Sequence, residues 1–354
     1  MRAARMTKAA ALLLAGSLAL AACASDQKNS GSSSGSSSAG GGDLKVGLAY
    51  DTGGRGDRSF NDSAYAGVEA AIKDHGGKLS ELSPNSDASN RAELLTQLAD
   101  GGYNPIIAVG FAYGADVAKV AAQYPKVSFA IVDSSVTATG LKNLTGLLFA
   151  ANEGSYLAGV AAALKSATNH IGFVGGVDTG LIHNFQVGYA AGAKAAKPDI
   201  KIDTQYISPE GDFTGFNDPA KGQIVAQGMY DAGADIVFQV AGGSGLGVFQ
   251  AAAASKKRAI GVDSDQYNTV SDPALQAVIM TSMLKRVDNS VQAFIDKSVK
   301  DNGKVEGGKD VISDLSTNGV GLATSGGFID DIKTKIDDYR QKIISGAIKV
   351  PSAS

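Results

Sequence analysis

Among 354 residues there is one cysteine, Cys23, no tryptophan and only three histidines. A single cysteine excludes an intramolecular disulfide and a thiolate metal cage, so stability rests on core burial. His75, His170 and His183 stand far apart with no H-E-x-x-H or H-x-x-E-H spacing, and no G-x-S-x-G occurs. The residue patterns of zinc hydrolysis and of the serine-hydrolase elbow are therefore missing. Basic side chains are not in excess, the formal net charge being −3. That weighs against nucleic acid or an anionic membrane surface as a partner. The reading is of a protein that is not an enzyme and needs neither metal nor cofactor.

What the chain does have begins at its start. Arg2, Arg5 and Lys8 precede an apolar stretch, Ala9 to Ala19, which is shorter than the ~20 residues of a membrane span and is followed by Leu20-Ala21-Ala22-Cys23. This predicts a lipoprotein signal over residues 1–22, cleaved to leave Cys23 as the lipidated N-terminus. An ordinary secretory peptide with an incidental cysteine is the competing reading, but the lone cysteine falls at the cleavage point. Cleavage removes three positive charges from a chain of net charge −3 and leaves −6. Residues 23–43, mostly Ser and Gly, have no apolar face to bury and read as a disordered tether with an r.m.s. span of about 25 Å. Everything beyond is expected on the extracytoplasmic face of the cell membrane, held by lipid alone.

From Leu44 short apolar runs alternate with Ala-rich segments of helical period, the pattern of βα units in a parallel sheet. Strands are expected at Leu44–Tyr50, Lys78–Leu82, Pro105–Val109, Val127–Val132, His170–Val174, Lys201–Ile207, Ile236–Val240, Ala259–Val262 and Ala277–Ser282. The fold class is doubly wound α/β. Two similar lobes are implied, one of residues 44–150 plus about 265–313, the other of 151–264 plus about 314–354. Ligands of such sheets bind outside the carboxyl ends of the strands, so those ends carry the candidates.

After the first strand, Ser59, Phe60 and Asn61 stand at a helix entrance, where an aromatic face and an amide can meet a ligand. Taken alone, a hydrophobic staple and a plain N-cap explain Phe60 and Asn61 better. Gly110 and Phe111 follow the third strand and Asp133 the fourth; that carboxylate can accept from a ring edge or cap a turn. In the second half, His183, Asn184 and Phe185 open a helix as Phe60 and Asn61 do, and two aromatics from opposite lobes can sandwich a planar ring. The loop Gly242-Gly243-Ser244-Gly245, with Asp263 twenty residues past Gly243, invites a dinucleotide reading, but the spacing departs from G-x-G-x-x-G at Val248. Asp263 and Lys285 end two further strands, and an acid with an ammonium can hold a vicinal diol.

Taken in order, Asp57-Arg58-Ser59-Phe60-Asn61, Phe129-Ala130-Ile131-Val132-Asp133, Glu153-Gly154-Ser155-Tyr156-Leu157-Ala158-Gly159, Ile171-Gly172-Phe173-Val174-Gly175-Gly176, Ala234-Asp235-Ile236-Val237-Phe238 and Gly261-Val262-Asp263-Ser264-Asp265-Gln266 carry a resemblance. From about Leu44 to about Lys349 the chain resembles the basic membrane protein family of substrate-binding lipoproteins, which includes purine nucleoside receptors. The resemblance implies a type I periplasmic-binding-protein fold with three hinge crossings, monomeric, closing on a nucleoside for an ABC permease. It implies that Phe60 and Phe185 stack the base, that Asn61 and Asp133 bond its edge, and that Gly242, Asp263 and Lys285 hold the ribose. Ser59, Gly110, Phe111 and His183 are secondary candidates. The glycine-rich Gly53-Gly54-Arg55-Gly56 departs from the family pattern and leaves the role of Asp51 open. A receptor for a sugar or autoinducer-like solute, a surface enzyme acting on nucleosides, and a signalling or adhesion lipoprotein with a degenerate cleft are the alternatives.

Overall fold

The computed structural model describes residues 44–85 and 88–353. The signal, Cys23 and the tether lie outside the described residues. The first part of the chain runs β1 (Lys45–Ala49), α1 (Phe60–His75), β2 (Lys78–Leu82), α2 (Arg91–Asp100), β3 (Ile106–Ala108), α3 (Gly114–Gln123), β4 (Phe129–Val132) and β5 (Leu144–Phe149). There follow α4 (Ala151–Lys165), β6 (His170–Val177), α5 (Gly180–Ala196), β7 (Lys201–Ser208), α6 (Pro219–Asp231), β8 (Ile236–Val240), α7 (Gly245–Ser255) and β9 (Arg258–Asp263). The last part holds two four-residue helices, α8 (Gln266–Thr269) and α9 (Pro273–Gln276), then β10 (Ile279–Lys285), α10 (Val287–Lys300), β11 (Lys309–Ser313), β12 (Val320–Leu322) and α11 (Lys333–Ile344).

Two six-stranded sheets result, ordered β11-β5-β4-β3-β1-β2 and β12-β10-β9-β8-β6-β7. Pairing is parallel throughout except for β12, which runs antiparallel to β10. Central strands such as β4 and β8 are buried along their whole length because helices cover both faces, and a two-sided cover demands continuous apolar runs. Hence the expected strands are all present, with small shifts at their ends.

Three strands escape the βα pattern. β5 follows β4 with only a 3-10 turn, Thr137–Thr139, between them, so no helix announces it. β11 and β12 are short edge strands with partly exposed side chains, which weakens their apolar signal.

The lobe boundary expected near residue 265 also differs. β10 pairs with β9 inside the second sheet, and only beyond it does the chain return to the first lobe, where Val287, Val291, Phe294 and Ile295 of α10 join the core of β1 and α1. The chain therefore crosses at Ala150, at Arg286 and between β11 and β12. Among the described residues no helix is long and apolar enough to cross a membrane.

Candidate functional site

The carboxyl ends of both sheets face one cleft. An open space of about 50 Å³ there is lined by Asp51, Thr52, Asp57, Phe60, Asn61, Phe111 and Asp133 from the first lobe. Leu181, Ile182, Phe185, Phe216, Val240, Gly242, Val262, Asp263 and Lys285 line it from the second. All seven leading candidates, Phe60, Asn61, Asp133, Phe185, Gly242, Asp263 and Lys285, are thus brought together.

Local chemistry places each of them. The loop after β1 ends in Asp57, whose carboxylate accepts from the backbone N–H groups of Ser59 (3.0 Å), Asn61 (2.8 Å) and Asp62 (3.1 Å). Asp57 thereby satisfies the free donors at the start of α1. The capping role open to Asn61 falls to Asp57, and the Asn61 side chain instead accepts from the Asp51 N–H at 2.9 Å. Burial lifts the Asp57 carboxyl to about 7 against the pull of those N–H groups. Asp51 is lifted to about 6, again by burial, opposed by the Thr52 N–H and by Arg91.

Lys285 is the centre of the cleft. Only 3% exposed, its ammonium lies 2.5 Å from Asp133 Oδ2 and 3.6 Å from Asp263 Oδ1. It also stands 4.3 Å above the Phe60 ring centroid, 5.4 Å from that of Phe149 and 5.7 Å from that of Phe185. Burial works against the charge, but two facing carboxylates outweigh it and raise the Lys285 pKa. The acid and the ammonium are therefore not unrelated surface charges. Asp133 and Asp263 both adopt left-handed backbone, φ 65° and 63°, which turns each carboxylate off its strand end into the cleft.

The secondary candidates separate. Phe111 lines the space. Ser59 sits just behind it, donating to Asp263 Oδ2 at 2.8 Å and so linking the lobes. Gly110 backs Asp51, since a Cβ there would clash with that carboxylate. His183 is outside the lining; its Nε2 pairs with Asp178 Oδ1 at 2.5 Å on the surface. Helix α5 begins at Gly180, so Phe185 belongs to its second turn, and Leu181 and Ile182 hold the entrance. In the Gly242 loop, a Cβ at Gly245 would strike the Gln239 side chain and one at Gly247 the Pro219 carbonyl, so these two glycines serve packing. Of the lining residues not among the site candidates, Asp57 opens a quoted motif and Asp51, whose role the sequence leaves open, precedes it, whereas Phe216 arrives from the turn after β7 and carries no local signal.

Comparison with known proteins places this geometry in a family. A family model described as "ABC transporter substrate-binding protein PnrA-like" matches residues 44–354. The chain is similar to the "ABC transporter nucleoside-binding protein BmpA" of Lactococcus lactis, with 38% identity over 327 residues, 88% of this chain and 90% of that one. It is similar to "Basic membrane protein A" of Borreliella burgdorferi, with 36% identity over 313 residues, 87% and 88% of the two chains. Among solved structures, an ABC transporter solute-binding protein of Aeropyrum pernix superimposes with a TM-score of 0.74 at 28% identity, over 87% of this chain and 94% of that one. The two lobes thus have the type I periplasmic-binding-protein fold, and the chain belongs to the PnrA-like family of ABC transporter substrate-binding proteins.

Proposed function

We propose that this family member is a lipid-anchored, monomeric receptor that captures a nucleoside, a purine one by preference, and presents it to an ABC permease in the same membrane. The observation that carries this reading is one buried ammonium, Lys285, held by Asp133 and Asp263 with the ring centroids of Phe60 and Phe185 4.3 Å and 5.7 Å away. Phe60 comes from the first lobe and Phe185 from the second, so a planar base inserted between them meets an aromatic face on each side, worth about 1–3 kcal/mol per stacked ring. Asn61 and Asp133 serve the base edge; Gly242, Asp263 and Lys285 serve the ribose. The Lactococcus relative, named as nucleoside-binding, points the same way. An open space of about 50 Å³ has room for a few waters and not for a ring, so the ligand enters as the lobes part about their crossings.

Guanosine, inosine, adenosine and uridine are the test set. At 100 times its dissociation constant a ligand adds about 2.7 kcal/mol of stability, so at least one should raise the melting temperature and give calorimetric heat. Silence with all four overturns the nucleoside reading, and release of free base overturns the receptor reading in favour of an enzyme. Cys23→Ala should move the protein from the membrane to the soluble fraction.

A further inference from the structure

Arg91 opens helix α2, stands beside Asp51 without lining the cleft, and is 7% exposed. Its Nε and Nη2 are buried without a hydrogen-bond partner. Buried guanidinium groups are normally held by bidentate hydrogen bonds at ~2.7–2.9 Å. Among the described residues its ion-pair partner is Asp51, with Oδ1 3.8 Å from Nη2, and the guanidinium otherwise faces the rings of Phe213 (5.1 Å) and Tyr113 (5.6 Å). Desolvating a charge for so few bonds is unfavourable. What the position does supply is a fixed positive field on Asp51.

Asp51 is held for use. Its N–H is bound by Asn61 Oδ1, its Oδ1 accepts from the Thr52 N–H at 2.8 Å, and Gly110 leaves room for Oδ2. Beside it Thr52 lines the same end of the cleft, its Oγ1 buried and without a partner. The charged and titratable groups facing Asp51 are Arg91 from α2, Tyr113 from the turn before α3, Asp133 after β4 and Lys285 from β10. Asp57 and Asp263 are the other acids of the lining. Asp133 pushes Asp51 toward neutrality and Lys285 pulls it back, but Lys285 is already engaged by two acids. Among the described residues, Asp51 is the one carboxylate within 4 Å of Arg91.

We propose that Arg91 is a positioning residue for recognition: its buried guanidinium, 3.8 Å from Asp51 Oδ1, holds that carboxylate in place as the acceptor for an N–H on the ring edge of the ligand. The ligand class this selects, resting on the nucleoside reading, is a base with a ring-edge N–H such as inosine N1–H. A 1-methyl base, without that donor, is refused.

Two measurements on the full chain test it. Carbon NMR titration of the carboxyl groups without ligand, with Asp51→Asn assigning the signal, should show the Asp51 midpoint rise in Arg91→Met and return in Arg91→Lys. Calorimetry with inosine between pH 8 and pH 6 should show about a twofold loss for the wild type, as Asp51 half-protonates near pH 6. Arg91→Met should lose about tenfold or more over the same range, Arg91→Lys should follow the wild type, and Asp51→Asn should be weak and flat. 1-Methylinosine should bind weakly at every pH. Superimposable Asp51 titrations in wild type and Arg91→Met overturn the proposal, as does a loss of inosine affinity in Arg91→Met by one factor at every pH, which would mark a merely structural role. If the Asp51 titration moves but wild type never binds inosine, the hold of Arg91 on Asp51 stands and the nucleoside reading falls.

Discussion

At the end of β4, Asp133 turns into the cleft with φ 65°; at the matching place in the second sheet, the end of β9, Asp263 does so with φ 63°. Gly110 after β3 and Gly242 after β8 correspond in the same way, each with positive φ, the first just before a 3-10 turn and the second as its first residue. The crossing residues Ala150 and Arg286 share φ −77° and have ψ 64° and 63°. The backbone is therefore duplicated while the side chains diverge. Where the first sheet ends β5 in Phe149, the second ends β10 in Lys285. The first lobe lines the cleft with Asp51, Asp57, Asn61 and Asp133, and the second adds Leu181, Ile182, Phe185, Val240 and Val262 around Asp263 and Lys285. A duplicated scaffold supplies matched positions, and the side chains around them give the first wall three acids and an amide beside Phe60 and Phe111, and the second wall mostly apolar residues around one acid and one ammonium.

The helices beneath the cleft diverge too. In the first lobe α1 meets α10 through Gly67, against the Asp288 carbonyl. In the second, α5 and α4 approach through Gly188 on Asn152, Gly192 on Tyr156 and Gly159 on Tyr189, each without room for a Cβ. Three close approaches over successive turns make the second pair a backbone-to-backbone contact; the first relies on Val291, Phe294 and Ile295.

Substitutions at matched positions sharpen the contrast. Lys285→Met leaves Asp133 and Asp263 buried without their cation; it should cost about 3–5 kcal/mol in urea unfolding and abolish nucleoside heat in calorimetry, while Phe149→Leu, its counterpart, costs about 1 kcal/mol. Equal effects would mean that the cation is not what distinguishes the two strand ends. Gly192→Ala should lower stability by about 3 kcal/mol through overpacking, and Gly67→Ala by about 1–2 kcal/mol because the start of α10 can shift; denaturant midpoints decide. Asp133→Asn should cost about 2–3 kcal/mol and Asp263→Asn about 1 kcal/mol, since the shorter ion pair belongs to Asp133, and the reverse order would reassign the principal partner of Lys285.

A further effect is on pH dependence. Asp51 and Asp57 have folded-state values of about 6 and about 7, above the ordinary 3.8. The native state therefore keeps protons that the unfolded chain has released, and stability from these two groups falls as pH rises from about 4 to about 7. Asp51→Asn should shrink the stability difference between pH 4.5 and pH 7 by about 1–2 kcal/mol in urea titrations. An unchanged difference would remove Asp51 from the account.

Much of this was readable along the chain because a strand buried on both faces must be apolar and the residue closing it is usually polar or glycine. That locality exposes Phe60, Asp133, Gly242, Asp263 and Lys285. It hides β5, which no helix introduces, and β11 and β12, whose edges are half exposed. It also hides Asp57, because a carboxylate three residues before a helix looks like an ordinary loop acid until its N–H partners are known, and Arg91, whose neighbour Asp51 lies forty positions upstream.

Sequence order suffices for the alternation of strands and helices, for the glycines that follow helix ends and for the kind of residue that closes each strand, since all of these follow from burial and backbone sterics within a few residues. Convergence does not follow from it. Lys285 meets Asp133 across 152 positions because α10 and β11 return to the first lobe after β10 has closed the second. The lobe boundary, the single cation between two acids and the buried guanidinium beside Asp51 exist only once distant strand ends are packed against one another, where low-dielectric burial makes each charge depend on the others.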